Sequence, residues 1–180
     1  MSNCGHYGDQ HQHICRGHST TSNVTQTLDE LDFERGIWYA AQYGDSDRVK
    51  KLIDKGIDVD LRDSAGYTSL HYAARNGCKQ VCKILLERGA NVNAATKSGS
   101  ATALHRSCSA GHVEIVKLLL SKNANGMLKD SDGKTALHRA AESKHLEVCK
   151  IIASAYPESK AMVDNKGKLP RDYVQLDNLL

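Results

Sequence analysis

Gly66-Tyr-Thr-Ser-Leu-His-Tyr-Ala-Ala-Arg-Asn-Gly77 is followed by two near-copies of itself, Thr102-Ala-Leu-His-Arg-Ser-Cys-Ser-Ala-Gly-His112 and Gly133-Lys-Thr-Ala-Leu-His-Arg-Ala-Ala-Glu-Ser-Lys-His145. The Leu-His pairs at 70–71, 104–105 and 137–138 lie 34 and then 33 residues apart. A period of this size implies stacked supersecondary units rather than one wound core. Each phrase leads into an amphipathic run: Val81-Cys-Lys-Ile-Leu-Leu86, Val113-Glu-Ile-Val-Lys-Leu-Leu-Leu120 and Leu146-Glu-Val-Cys-Lys-Ile-Ile152. Apolar residues at i, i+3 and i+4 predict helices with one buried face. Thr68, Thr102 and Thr135 are placed to cap helix starts, and Gly77 and Gly111 to end the short helices in a left-handed turn. Each unit therefore reads as turn, short helix, turn, longer helix. The expected architecture is an all-α repeat solenoid.

Thr-x-Leu-His, Ala-Ala and Gly, with Gly89-Ala-Asn-Val-Asn-Ala94 after the second helix, resemble the ankyrin repeat, and the resemblance runs over about residues 30–180. It implies helix-turn-helix units with projecting turns at about 30–62, 63–95, 96–129 and 130–163, closed by a partial repeat at 164–180. The first unit aligns on a shift of 33: Ala40-Ala41 match Ala73-Ala74, Gly44 matches Gly77, and Gly56 matches Gly89. Trp38 stands there where later units carry His. The Pro usual in the family is replaced by Ser69, Ala103 and Ala136, and Gly99-Ser-Ala-Thr102 carries one extra residue. Lys144 takes the column of Gly77 and Gly111, where a non-glycine costs up to about 1 kcal/mol if the backbone stays left-handed. Asn123 replaces Gly89 more cheaply.

Composition narrows the functional classes. Of 180 residues, 40% are hydrophobic and 25% charged, and 24 Lys and Arg face 21 Asp and Glu for a net charge of +3. That balance does not suggest nucleic acid or an anionic membrane as partner. The densest apolar stretch, Ile115–Leu120, is interrupted by Lys117, short of a membrane span. The polar N-terminus lacks the apolar core of a signal peptide, so reduced cysteines and a cytoplasmic or nuclear location are expected.

The repeat columns absorb most of the reactive side chains. His71, His105 and His138 share one position, and by the resemblance they bond backbone between neighbouring turns. Cys82 and Cys149 align with Val49 and Val116, and Cys108 with Ala41, Ala74 and Ala141, which makes them core residues. Cys78 aligns with Asp45, His112 and His145 at a helix start. His145 and Cys149 have the i, i+4 spacing of zinc ligands on a helix, but the column assigns Cys149 to the core. No glycine-rich phosphate loop, His-Glu-x-x-His, Cys-x-x-Cys or Gly-x-Ser-x-Gly occurs, so neither enzyme activity nor a cofactor is expected.

Cys4, His6, His11, His13, Cys15 and His18 belong to no repeat. Their atoms suit zinc, but the spacing matches no closed zinc module, and residues 1–23 read as a disordered, polar Cys/His-rich tail preceding a repeat domain at 24–180. Function then falls to a surface. The inner-helix positions free of the fold stack in two columns: Tyr39, Tyr72, Arg106 and Arg139, then Gln42, Arg75, Ser109 and Glu142, bordered by Tyr43 and Asn76. The turn tips add Asp63-Ser-Ala, Lys97-Ser98 and Asp130-Ser-Asp132. Tyrosine and arginine dominate interface energies, so the leading expectation is a monomeric adaptor or scaffold that binds a protein partner on this concave strip. A zinc-responsive protein using the tail, and a small inhibitor laid over an enzyme, are the alternatives. By the resemblance, Asn93 matches the asparagine hydroxylated in ankyrin turns, with Leu85 eight residues upstream. A purely structural turn-closing role is the competing reading.

Overall fold

The computed structural model describes residues 36–174, and the tail with its six Cys and His candidates lies outside the described residues. Among the described residues, eight α-helices form four pairs: α1 (Ile37–Gln42) with α2 (Ser46–Asp54), α3 (Ser69–Arg75) with α4 (Lys79–Glu87), α5 (Ala103–Ala110) with α6 (Val113–Ser121), and α7 (Ala136–Glu142) with α8 (Leu146–Ala155). Two 3-10 turns, Pro157–Ala161 and Pro170–Asp172, close the stack. Among the described residues there is no strand. The fold is an all-helical repeat stack.

The short helices α1, α3, α5 and α7 pack side by side as an inner layer, with the longer helices behind them. The close approach comes from paired small residues: Ala40-Ala41, Ala73-Ala74, Ser107-Cys108 and Ala140-Ala141 are all sealed from solvent. Ile37, Leu70, Leu104 and Leu137 fill the inner seam, and Val49, Cys82, Val116 and Cys149 the outer one. Burying each of the large side chains contributes roughly 1.5–3 kcal/mol. Arg48 stands on α2 where Val81, Ile115 and Val148 are buried on the later outer helices, so this column is charged in the first described pair and apolar in the others.

Each later inner helix starts the same way. The amides of Thr68, Thr102 and Thr135 donate to Nδ1 of His71, His105 and His138 at 3.1, 3.1 and 3.2 Å. Nδ1 therefore accepts, which puts the imidazole proton on Nε2. Those Nε2 atoms donate onward to the next repeat: His71 to Ala101 O at 3.0 Å, His105 to Leu128 O and Lys134 O at 3.1 Å each, and His138 to Lys168 O at 3.2 Å. Trp38 takes the same column position and donates from Nε1 to Leu61 O at 2.9 Å. In the closing unit Asp172 stands in this column, and its carboxylate accepts from the Leu169 amide at 2.7 Å.

A second column seals the seam between pairs. The residues that start the outer helices reach back to the preceding inner helix: Cys78 Sγ to Gln42 O, His112 Nε2 to Arg75 O at 3.1 Å, and His145 Nε2 to Ser109 O at 3.2 Å. The rings of His112 and His145 lie where a Cβ on Gly77 or Gly111 would be, at 2.9 and 2.6 Å. Those glycines also have φ of 80° and 77°, so both space and backbone demand them. Lys144 holds the same turn at φ 60°, and Asn123 and Ser100 are left-handed at 61° and 47°. The extra residue of the 99–102 turn is thus accommodated through Ser100.

Candidate functional site

The concave strip is organised by the turns that precede each inner helix. Asp63, Thr96, Asp130 and Asp164 occupy one column, and each closes its own turn. The carboxylates of Asp63, Asp130 and Asp164 accept from the amides of Tyr67, Lys134 and Lys168 at 2.8, 3.0 and 2.9 Å. Thr96 does the same with its hydroxyl toward the Ala101 amide at 3.2 Å. A carboxylate has a second oxygen, and it is used. Asp63 Oδ2 accepts from the Tyr72 hydroxyl at 2.7 Å, Asp130 Oδ2 from Arg139 Nε at 2.6 Å, and Asp164 Oδ2 from the Tyr173 hydroxyl. Thr96 has no second oxygen. The residue in its partner column is Arg106.

These bonds redistribute the expected binding residues. Tyr72 is half-buried against Asp63, and burial together with that carboxylate pushes its phenol well above the ordinary range. Arg139 is held three ways, by Asp130, by Asp132 at 2.8 Å and by Glu142 at 3.1 Å. Burial opposes the Arg139 charge, but these carboxylates outweigh it and raise its pKa further. Glu142 also pairs with the buried Lys134 at 2.5 Å. Burial raises the Glu142 pKa, yet Lys134 and Arg139 together hold it below the usual value. The expected turn tip Asp130 is in fact buried, because its carboxylate is the hub of this network. The charged groups of this network are therefore paired with one another, three carboxylates against two cations.

Toward the other end, Tyr39 and Tyr43 pack with ring centroids 4.5 Å apart and planes tilted by 43°, and Arg48 lies 5.8 Å over the Tyr39 ring. Tyr43 is 65% exposed. Gln42 and Ser109 are half-buried, while Arg75 and Asn76 are exposed, and the Asn76 amide side chain caps Tyr72 O at 2.9 Å. Arg106 lies with its guanidinium 5.0 Å over the Tyr67 ring and donates to the Tyr67 hydroxyl. Its Nε is buried without a hydrogen-bond partner. Two shallow cavities flank it. One of about 270 Å³ is lined by Arg75, Arg106, Ser109 and Ala110. The other, about 200 Å³, is lined by residues including Gly99, His105, Ser131 and Arg139. The Asp-to-partner spacing of nine residues was present in the chain at 63/72, 130/139 and 164/173, and it is the signal from which the internal pairing could have been read.

Side chains with catalytic potential are committed to packing. Burial lowers the His71 pKa to about 4 and lowers those of His105 and His138. Burial pushes the Cys82 thiol up to about 12 and the Cys149 thiol to about 11, and raises Cys78 and Cys108 as well. Thiols so raised are poor nucleophiles. Among the described residues, no group of three or more His, Cys, Asp or Glu is placed to hold a metal. No described helix is long and apolar enough to cross a membrane.

Asn93 bridges two repeats rather than closing its own turn. Its Oδ1 accepts from the Asn125 amide at 2.8 Å, as Asp60 accepts from the Asn91 amide at 3.0 Å one repeat earlier. Its own turn is closed by Asn91 Oδ1, which accepts from the Asn93 amide at 3.0 Å.

A family model for ankyrin repeats in three copies matches residues 11–96 and 95–163. Ankyrin repeat domain-containing protein 39 of Homo sapiens is 57% identical over 82 residues, covering 46% of this chain and 45% of the relative. Its Bos taurus counterpart is 62% identical over 63 residues, 35% of this chain and 34% of the relative. The palmitoyltransferase Hip14 of Drosophila melanogaster is 38% identical over 94 residues, 52% of this chain but 15% of that protein. The aligned segments thus span less than half the length of these curated relatives.

Proposed function

The chain belongs to the ankyrin repeat family, whose repeats mediate protein–protein interactions, and on that premise we propose that it is a non-enzymatic adaptor or scaffold binding a protein partner across its concave inner-helix strip. The observation that carries this reading is the division of labour along the strip. Charged groups at its fourth pair are paired internally, whereas Tyr43, Arg75 and the slot beside Arg106 stand open to solvent. Aromatic groups held on short, rigid helices lose little entropy on binding, whereas ordering an exposed arginine costs about 0.5–1.5 kcal/mol that its pairing must exceed. The burial of all three repeat histidines and of Cys82, Cys108 and Cys149 supports the absence of catalysis.

The test is affinity capture from cell extract with three forms of the full chain. The first is wild type, the second carries Tyr43→Ala with Arg75→Glu, and the third carries Lys83→Glu with Lys150→Glu on the outer helices. A partner retained by the outer-helix variant and lost from the concave variant supports the reading, and the reverse pattern refutes it.

Asn93 is further proposed as a hydroxylation target. Its turn position and the hydrogen bond of its side chain to the next repeat make an added hydroxyl a stabiliser of roughly 0.5–1.5 kcal/mol. Mass spectrometry of the tryptic peptide Gly89–Lys97 from oxygenated cells should show one added oxygen. Full coverage with the unmodified mass alone would remove the assignment.

A further inference from the structure

The proposed binding strip contains one position where the chain omits a carboxylate that its other turns supply. Asp63, Asp130 and Asp164 each close a turn with one oxygen and engage the residue nine places on with the other. Thr96 keeps the first task and drops the second, because a hydroxyl has a single oxygen. Arg106 is consequently the guanidinium of this column without a carboxylate. It rests on a tyrosine ring, and its Nε has no acceptor. Arg75 faces it from the neighbouring inner helix, is exposed, and has no ion-pair or hydrogen-bond partner for its guanidinium among the described residues. The slot between them, about 270 Å³, is also lined by Ser109 and the small Ala110.

We propose that this slot receives the carboxylate of an aspartate or glutamate side chain from a protein partner lying along the inner helices. Two guanidiniums present several donors to one anion, and bidentate Arg–carboxylate pairing is among the stronger side-chain contacts. The surroundings set the register. Asp63 is held by Tyr72 on one side, and Asp130, Asp132 and Glu142 are held by Arg139 and Lys134 on the other. An acidic side chain shifted by one repeat in either direction meets an occupied site and like charge. Thr96 thus acts as a specificity determinant through what it lacks.

This inference rests on the concave-strip reading, and its test separates the two. The immobilised full chain is panned against a random library of linear displayed peptides. Selected sequences are then synthesised with the acidic residue retained, or replaced by glutamine, lysine or phosphoserine, and titrated against wild type, Arg75→Glu and Arg106→Ala. Arg75 is exposed, so Arg75→Glu keeps the fold, as circular dichroism verifies, and the decision rests on it.

The expected result is enrichment of Asp or Glu at one position, with at least tenfold weaker binding for the glutamine peptide and for Arg75→Glu. The lysine peptide should recover binding to Arg75→Glu. Peptides that bind without an acidic preference, or bind Arg75→Glu as tightly as wild type, overturn the proposal. So does a phosphoserine peptide that binds tenfold tighter than the carboxylate, which would assign the slot to a phosphoryl group. Acid-independent peptides that are lost on Tyr43→Ala would remove this inference and leave the interaction reading standing. Recovery of no concave-face peptide counts against both.

Discussion

Lowering the pH from 7 to 5.5 should destabilise this fold through its capping histidines, and His71 allows the magnitude to be worked. Its Nδ1 accepts from the Thr68 amide and its Nε2 donates to Ala101 O, so the native site requires the neutral ring. Burial lowers its pKa to about 4, against about 6.5 in the unfolded chain. Below 6.5 the unfolded state takes up a proton that the native state refuses, so stability rises with pH and falls on acidification. For this one residue the loss between pH 7 and 5.5 is about 1.2 kcal/mol, approaching about 1.4 kcal/mol per further unit until pH 4.

His105 and His138 shift in the same direction, so the intact chain should lose more than this. The assay is urea unfolding at half-unit pH steps, in wild type and in His71→Gln. Glutamine keeps a donor toward Ala101 but cannot ionise. It lowers stability at pH 7, and it should also reduce the slope below pH 6.5 by about 1.4 kcal/mol per unit. A wild-type profile flat from pH 7 to 5, or an unchanged slope in His71→Gln, would refute the reasoning.

Further outcomes follow from individual contacts. Arg139→Ala strips the main counter-charge from the buried Asp130 and should cost about 3 kcal/mol, partly recovered in Arg139→Ala/Asp130→Asn. Arg75→Ala should stay within about 0.5 kcal/mol, and similar losses from the two in urea titrations would contradict the assigned pairing. Lys144→Gly relieves a left-handed backbone at φ 60° and should raise stability by about 1 kcal/mol, read as an increase in the urea midpoint. Ser69→Pro should also stabilise by about 1 kcal/mol in the same titration. The Ser69 hydroxyl is buried without a partner, the site is the first residue of α3, and Thr68 before it is already extended at φ −98° and ψ 167°.

Much of this architecture was legible in the chain because a repeat displays its own alignment. Three copies of Thr-x-Leu-His mark three helix starts, and the shared column is enough to assign His71, His105 and His138 to the fold. The left-handed turns at Gly77 and Gly111 could be read locally, since φ is a property of one residue. The same logic anticipated the backbone of Lys144 and Asn123. Thr68, Thr102 and Thr135 cap the helices that follow them, as placed.

The state of each surface group was a different matter. Arg106 and Arg139 share a column and look equivalent as letters, but one rests on a tyrosine ring and the other is bound by three carboxylates. That difference depends on which oxygen of a turn residue faces which helix, and so on how a loop folds back over residues nine positions away. Asn93 illustrates the same limit, because its partner lies on the adjacent repeat. The sequence by itself determined the period, the helices, the core columns and the residues available for a surface. Only the tertiary structure decided which of those surface charges remain unneutralised, because an ion pair is a fact about distance in space: Arg88 finds Asp54 and Lys79 finds Glu114 across repeats, whereas Arg139 finds its carboxylates within its own.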